Sequence, residues 1–188
     1  MAKIAVISGS PTETSRLNGL LHAVRALVEG EGWEYNEIQV RLLPPEDLIY
    51  TRFDSSSIIE ANRIVAEADA VVVATPIYKA SYTGVLKTFL DLIPQKGLDR
   101  KIVLPLALGG TIAHLLAIDY ALKPVLSALG AQHIRAGVYA QDAQITRLDG
   151  GGFELSEELQ DRLELAVTDW IREIRKNVKE QESLIANS

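Results

Sequence analysis

The stretch that decides the fold is Ile4-Ala5-Val6-Ile7-Ser8-Gly9-Ser10-Pro11-Thr12-Glu13-Thr14-Ser15-Arg16, close to the start of the chain. An apolar run with the character of a buried strand ends abruptly in a Gly/Ser/Thr turn, and an amphipathic helical pattern follows from Leu17 to Val28. A strand, a polar turn and a helix in this order direct backbone N–H groups and hydroxyls at an anion, typically a phosphate. In open α/β sheets such ligands bind at the carboxyl ends of the strands.

The composition is that of one soluble globular domain, which we expect to span residues 1–188, with 47% apolar and 23% charged residues. A formal net charge of −6 argues against a broad basic face, so we expect no nucleic-acid partner. The chain has no cysteine and only three, widely spaced histidines, which predicts no metal site. A strand begins within two residues of the start and no long apolar run follows, which predicts a cytoplasmic protein without signal peptide or membrane span.

Apolar runs alternate with helical patterns along the chain, which indicates a parallel α/β fold. The predicted strands are residues 3–8, 33–40, 70–74, 102–107 and 133–139, and the predicted helices are residues 15–29, 57–68, 83–93, 112–129 and 155–182. We expect Ser55 or Ser56 to cap the second helix, a turn-rich connection at 43–47 and a surface loop at 150–152. This pattern predicts a flavodoxin-like, doubly wound, five-stranded parallel sheet of order 2-1-3-4-5.

Three loops follow the first, third and fourth strands, whose ends meet at the switch point of such a sheet. The first, residues 9–16, is neither a Walker A loop nor G-x-G-x-x-G, so it favours a phosphate monoester over a nucleoside triphosphate or a dinucleotide. Its candidate phosphate-binding residues are Ser10, Thr12, Ser15 and Arg16. The alternative is a cluster of helix caps without a ligand.

The second loop begins at Thr75-Pro76, where we expect the third strand to stop. Its proline fixes the backbone, and the aromatic residue two positions later can face a planar ligand. The candidate ligand-binding residues are Thr75, Pro76, Ile77, Tyr78 and Lys79. The alternative is that Tyr78 and Tyr82 only cover the core.

The third loop, Gly109-Gly110-Thr111, follows the fourth strand. Two glycines allow the backbone to approach a planar ring closely, and the N–H groups can face developing negative charge. The alternative is a simple turn before a helix.

The three loops together resemble the NADPH-dependent FMN reductases, and most closely the branch that serves alkanesulfonate monooxygenases. The resemblance covers roughly residues 1–145 and is most specific from Thr75 through Leu129. The motifs that carry it are Gly9-Ser10-Pro11, Ser15-Arg16, 74–80, Leu86-Lys87-Thr88, Asp91-Leu92, 109–111, 113–117 and 119–124. Many relatives place an arginine at the position of Thr12, and Arg16 is the residue of this loop that compensates.

The resemblance implies that FMN binds with its phosphate on the first loop and its ring between the second and third loops, beside His114. It implies that NADPH stacks on the exposed face of the ring and passes a hydride from nicotinamide C4 to flavin N5, for which the protein supplies placement. It also implies that reduced FMN leaves for a separate flavin-dependent monooxygenase of sulfonates or other organosulfur compounds.

Pro124 lies inside the predicted helix 112–129 and removes the hydrogen bond to the Tyr120 carbonyl. The helix must be irregular there, and π-bulges often mark functional sites. In the sulfonate-linked branch a tyrosine at this place lies in a π-bulge at a subunit interface near the flavin, so Tyr120 is our candidate for gating flavin release. The alternative is a core tyrosine beside a harmless kink. This helix is apolar around more than one face, which predicts a homo-oligomer, and we expect a tetramer.

Two other functions share this fold. An FMN-retaining quinone, azo or chromate reductase would have the same loops and differ in flavin affinity and acceptor. A flavodoxin-type electron carrier would need a T-x-T-G-x-T phosphate loop, which residues 8–15 do not match. A receiver domain is excluded, because Ser8-Gly9-Ser10 and Ala74-Thr75-Pro76 stand where its acidic residues would be.

Overall fold

The computed structural model describes the backbone of residues 1–186 and the side chains of residues 1–179. Strands and helices alternate as the sequence predicts. The strands are β1 Lys3–Ser8, β2 Glu34–Gln39, β3 Ala70–Tyr78, β4 Ser81–Tyr82, β5 Ile102–Gly109, β6 His133–Ile134, β7 Val138–Gln141, β8 Ile145–Arg147 and β9 Phe153–Leu155. The helices are α1 Leu17–Gly30, α2 Pro45–Ile49, α3 Ser56–Glu67, α4 Gly84–Leu90, α5 Lys123–Ala128 and α6 Glu157–Ala186. Within the described residues, no helix combines the length and apolarity needed to cross a bilayer.

The main sheet is parallel and runs β2-β1-β3-β5, with β6 and β7 sharing the next position beside β5. This order confirms the predicted flavodoxin-like arrangement. Helices α1 and α6 cover one face of the sheet, and α3, α4 and α5 cover the other. The central strands are apolar on both faces because both faces are covered, as parallel sheets require.

Two strands are longer than predicted, and one is divided. The prediction that Thr75-Pro76 ends the third strand is wrong, because β3 continues to Tyr78 and pairs there with β4. Strand β5 continues to Gly109. The predicted strand 133–139 is divided at Gly137, which has a φ of 85°. A Cβ at Gly137 would lie 2.5 Å from the Pro105 carbonyl oxygen, so only glycine fits.

The prediction of a single helix at 112–129 is wrong. This segment contains a 3₁₀ turn at Ile112–His114, a π-helical turn at Ile118–Leu122, and α5. The backbone N–H of Lys123 donates to the Ile118 carbonyl five residues earlier, which is the π-type bond. The predicted irregularity before Pro124 is therefore present.

Several connections also differ from the prediction. Residues 45–49 form the short helix α2 rather than only a turn. Ser55 stands at the N-cap of α3, but its hydroxyl donates to the Asp47 carboxylate instead of accepting from the helix. The hairpin of β8 and β9 was not predicted, and its tip is the expected surface loop at 150–152.

Trp170 fixes α6 to the sheet. Its side chain is fully buried, and its Nε1–H donates to the Ile102 carbonyl at 2.9 Å. The bond joins the last helix to the start of a central strand. Because this bond lies in the core, water does not compensate for its loss.

We predict that Trp170→Phe lowers the free energy of unfolding by about 2–4 kcal/mol, from the smaller side chain and the lost buried hydrogen bond. Urea denaturation measures this as a lower midpoint with an unchanged slope. Trp33→Phe is the control, because Trp33 is only partly buried, and it should cost less than about 1 kcal/mol. Equal losses in the two variants would contradict the role of the Trp170 hydrogen bond.

Candidate functional site

The three predicted loops lie side by side at one edge of the sheet. Strand β1 pairs with β3 up to Ser8↔Ala74, and β3 pairs with β5 up to Pro76↔Leu108. The loops that follow these strands therefore begin on neighbouring positions at the carboxyl edge. This confirms the spatial grouping on which the predicted site depends.

The first loop leaves several backbone donors without a protein partner. The Ser10 hydroxyl accepts from the Thr12 N–H at 3.3 Å and donates to the Thr12 carbonyl at 3.0 Å, and the Ser15 hydroxyl accepts from the Leu17 N–H at 3.2 Å. Among the hydrogen bonds of the described residues, none is donated by the backbone N–H groups of Glu13, Thr14 or Arg16. Successive free N–H groups in a turn are suited to an anion.

The side chains of this loop are less available than the sequence suggested. Ser10 and Ser15 are buried, with their hydroxyls used within the loop, whereas Thr12 is exposed. The Arg16 Nε–H donates to the Ile145 carbonyl at 2.8 Å, which joins the loop to β8. The terminal nitrogens of Arg16 form no hydrogen bond within the described part of the chain.

Thr83 links the first loop to the second. Its hydroxyl donates to the Gly9 carbonyl at 2.6 Å and accepts from the Leu86 N–H at 3.0 Å, which caps α4. Its backbone N–H donates to the Thr75 hydroxyl at 3.1 Å. The sequence places Thr83 at the start of a helix, but nothing in the local pattern indicates the bond to Gly9, 74 positions away.

The second loop is a tight β-hairpin between β3 and β4. Thr75 and Pro76 are buried at its base, Ile77 is partly buried, and Tyr78 and Lys79 are exposed. Thr75 therefore supports the hairpin rather than facing solvent. Lys79 and Ala80 have φ values of 51° and 66°, so both central residues of the two-residue turn adopt a conformation that favours glycine or asparagine.

The third loop depends on a tyrosine that the sequence reasoning did not select. The Tyr139 hydroxyl donates to the Thr111 carbonyl at 2.6 Å. A Cβ at Gly109 would lie 1.9 Å from the same hydroxyl oxygen, so Gly109 makes room for Tyr139. Burial, and to a lesser extent the charge of Asp142, raise the pKa of Tyr139, which keeps the phenol protonated as a donor.

Gly110 is different from Gly109. A Cβ there would meet only Asp142 Oδ2, at 3.9 Å, so the fold itself does not require glycine. This open backbone is available to a ligand. Thr111 is exposed, and His114 is partly buried in the 3₁₀ turn that follows.

The π-helical turn packs against the site. Ile118 is 4% exposed and forms a small apolar cluster with Ala107 and Tyr139, against which Ile77 packs. Tyr120, two residues later, is 79% exposed. The turn therefore contacts elements of the second and third loops on one side and presents Tyr120 to solvent on the other. Tyr120 is not a core tyrosine.

The described residues contain no group of three or more metal-ligating side chains that could hold a metal ion. The chemistry of this edge thus rests on backbone donors, hydroxyls, exposed aromatic side chains and the cationic side chains of Arg16, Lys79 and Arg147. Such a set binds and orients a phosphorylated planar molecule, but it holds no paired acid and base.

The sequence profile of the NADPH-dependent FMN reductases matches residues 2–145. An FMN reductase (NADPH) of Pseudomonas putida is 48% identical over 85% of this chain and 82% of its own, and one of Escherichia coli is 45% identical over 94% and 93%. The solved apo structure of the NADH:FMN oxidoreductase EMOB superposes with a TM-score of 0.81 at 35% identity, covering 90% of this chain and 88% of that one.

The chain belongs to the NADPH-dependent FMN reductase family, as the sequence analysis predicts. It is an oxidoreductase, and FMN and NADPH are the molecules on which it acts. The site fits FMN, because unpaired N–H groups are available for a phosphate and the open backbone at Gly110 is available for a planar ring.

We predict that Thr83→Val lowers the free energy of unfolding by about 2–4 kcal/mol, because it removes a helix cap and leaves a buried carbonyl unpaired. Chemical denaturation measures the loss, and FMN affinity should fall with it because two loops lose their connection. Thr83→Ser retains the hydroxyl and should restore most of both properties.

The matched control is Thr88→Val on the same helix, where the hydroxyl donates to the Val85 carbonyl three residues earlier. We expect a loss below about 1 kcal/mol and unchanged FMN affinity. Equal behaviour of Thr83→Val and Thr88→Val would show that the bond to Gly9 does not organise the site.

Proposed function

We propose that the protein reduces FMN as a diffusible substrate and releases reduced FMN to a separate flavin-dependent monooxygenase. FMN binds with its phosphate at the first loop and its ring between the second and third loops. When bound, FMN supplies N5, the atom that accepts a hydride from C4 of NADPH. The protein contributes backbone donors at 13–16, the hairpin that carries Tyr78, and the loop that Tyr139 holds.

The observation that carries this proposal is the placement of the π-helical turn. Ile118 of this turn lies in one apolar cluster with Tyr139, and Ile77 packs against this cluster. Tyr139 and Ile77 belong to the supports of the two loops proposed to hold the ring. On its other side the π-helical turn exposes Tyr120. A subunit that covers Tyr120 would thus act on residues that contact the flavin loops, which couples assembly to flavin release.

We propose that the functional assembly is a homotetramer with Tyr120 at a subunit interface. Ile112, Leu115, Leu116 and Tyr120 are all exposed on the single chain, each by 45% or more. Apolar side chains grouped in this way favour a protein interface. NADPH supply agrees with a cytoplasmic site of action.

The recipient that we propose oxidises a sulfonate or another organosulfur compound. Support comes from the resemblance between residues 75–129 and the sulfonate-linked branch. A Pseudomonas fluorescens relative named NADH-dependent FMN reductase SfnF, which is 32% identical over 87% of both chains, supports the reduction of FMN itself. The competing function is that of an FMN-retaining reductase. A relative named NADPH azoreductase, which is 28% identical over 73% of this chain, is the reason to test it.

Release of FMN can be tested directly. We expect purified protein to be nearly colourless after dialysis, with NADPH oxidation saturating in free FMN. Under anaerobic conditions, reduced FMN should cross a membrane that retains the protein and reduce an acceptor on the far side. A yellow, stoichiometric flavoprotein that survives dialysis and reduces no separated acceptor would establish the FMN-retaining alternative.

Gating by Tyr120 gives a second prediction. We expect Tyr120→Ala to fold but to retain FMN through gel filtration, and steady-state turnover with free FMN should fall by about tenfold because product release becomes limiting. Reduction of the bound flavin by NADPH should persist. Deletion of Tyr120 should have the same effects and make the helix more regular up to Pro124.

Tyr50→Ala is the matched control, because Tyr50 is also exposed, by 68%, but follows α2. It should leave flavin release and turnover unchanged. Sedimentation of each variant tests the assembly in parallel. If both Tyr120 variants had the turnover and the oligomeric state of the parent protein, Tyr120 would not gate flavin release.

A further inference from the structure

The hairpin formed by β8 and β9 lies against the start of α1, directly behind the first loop. Ile145 and Arg147 are two residues apart on β8 and therefore project from the same face. Phe153 is paired with Arg147 on β9. A Cβ at Gly19 would come within 2.9 Å of Phe153 and 3.0 Å of Ile145, so this face packs closely on α1. The Arg147 side chain is thereby directed at the loop that precedes the helix.

Two arginine–carbonyl bonds join the hairpin and the loop in opposite directions. A terminal nitrogen of Arg147 donates to the Thr14 carbonyl at 2.6 Å, and Arg16 Nε donates to the Ile145 carbonyl at 2.8 Å. These contacts connect positions 133 and 129 residues apart. They place one guanidinium within the loop and a second one against it.

Neither guanidinium has a carboxylate partner among the described residues. Within the described part of the chain, Arg16 and Arg147 form no ion pair, whereas Arg25, Arg63 and Arg172 each pair with a nearby carboxylate. A neutral side chain could donate a hydrogen bond to the Thr14 carbonyl equally well. This bond therefore does not explain why a charged guanidinium stands at position 147. The loop contributes Arg16 as its one basic residue, beside the acidic Glu13.

We propose that Arg147 is a phosphate-binding residue of the flavin site. From the β8–β9 hairpin, Arg147 adds a second positive charge beside that of Arg16 in the first loop. This inference rests on the proposed placement of the FMN phosphate. A phosphate monoester carries about −1.5 to −2 charges at neutral pH, so it gains from two unpaired guanidinium groups at one loop. The exposure of Arg147 keeps the contribution modest and sensitive to salt.

The test compares FMN with riboflavin, which lacks the phosphate, by quenching of flavin fluorescence in the full-length protein. We expect Arg147→Gln to raise the Kd of FMN about fivefold while changing that of riboflavin little, in line with an exposed charge pair. Added KCl should weaken FMN binding to the parent more steeply than to Arg147→Gln. Arg147→Lys keeps the charge and should retain most of the affinity.

Arg172→Gln is the control, because it makes the same change in net charge on the exposed side of α6, and it should leave both Kd values unchanged. Equal losses for FMN and riboflavin in Arg147→Gln, or an unchanged salt dependence, would overturn the proposal and leave Arg147 as a brace for Thr14. Thermal melting of each variant identifies a loss caused by misfolding, and Arg147→Lys then decides whether charge matters.

Arg16→Ala separates this inference from the proposed site. If Arg16→Ala weakens FMN more than riboflavin and Arg147→Gln does not, the phosphate lies at the loop and only the role of Arg147 is wrong. If neither variant distinguishes the two flavins, the phosphate lies elsewhere, and both the proposed placement and the role of Arg147 are wrong.

Discussion

The site depends on the hydrogen bond between the Thr83 hydroxyl and the Gly9 carbonyl, 2.6 Å long and fully buried. Thr83 belongs to the connection after the β3–β4 hairpin, and Gly9 opens the first loop. The same side chain caps α4, and its backbone binds Thr75. Gly9 permits this approach, because a Cβ there would lie 2.5 Å from Leu86 Cβ. One threonine therefore sets the distance between the first loop and the β3–β4 hairpin.

Two residues near this bond have strained backbone conformations. Lys79 and Ala80 both have positive φ in a two-residue hairpin turn, where residues with a Cβ cost about 1 kcal/mol or more each. The turn conformation matches the twist of paired strands, so the pairing of Ile77 with Tyr82 holds it in place. The result is a short hairpin that presents Tyr78 to solvent at a position fixed by strand pairing.

The central strands β1, β3 and β5 could be predicted because they are apolar runs. The points where strands end or divide could not be predicted, because they depend on contacts that hydrophobic periodicity does not contain. Strand β3 passes Pro76 because the later residues pair with β4, and Gly137 divides the last strand because of a contact with Pro105. The three loops were predictable from their residue types. Tyr139 and Arg147 were not, because each acts on a loop that is distant in sequence, through one hydrogen bond.

The segment 112–129 shows why an apolar pattern alone misleads. Its apolar residues suggest one helix, yet Ile112, Leu115 and Leu116 are exposed while Ile118, Leu122 and Leu126 are buried. A π-helical turn contains an extra residue, which changes the rotational phase of everything before it relative to α5. The exposed apolar residues before the turn are thereby separated from the buried apolar residues that follow. Because Ile118 belongs to this turn and lies in one apolar cluster with Tyr139, the exposed apolar residues stand on the same segment as a support of the third loop.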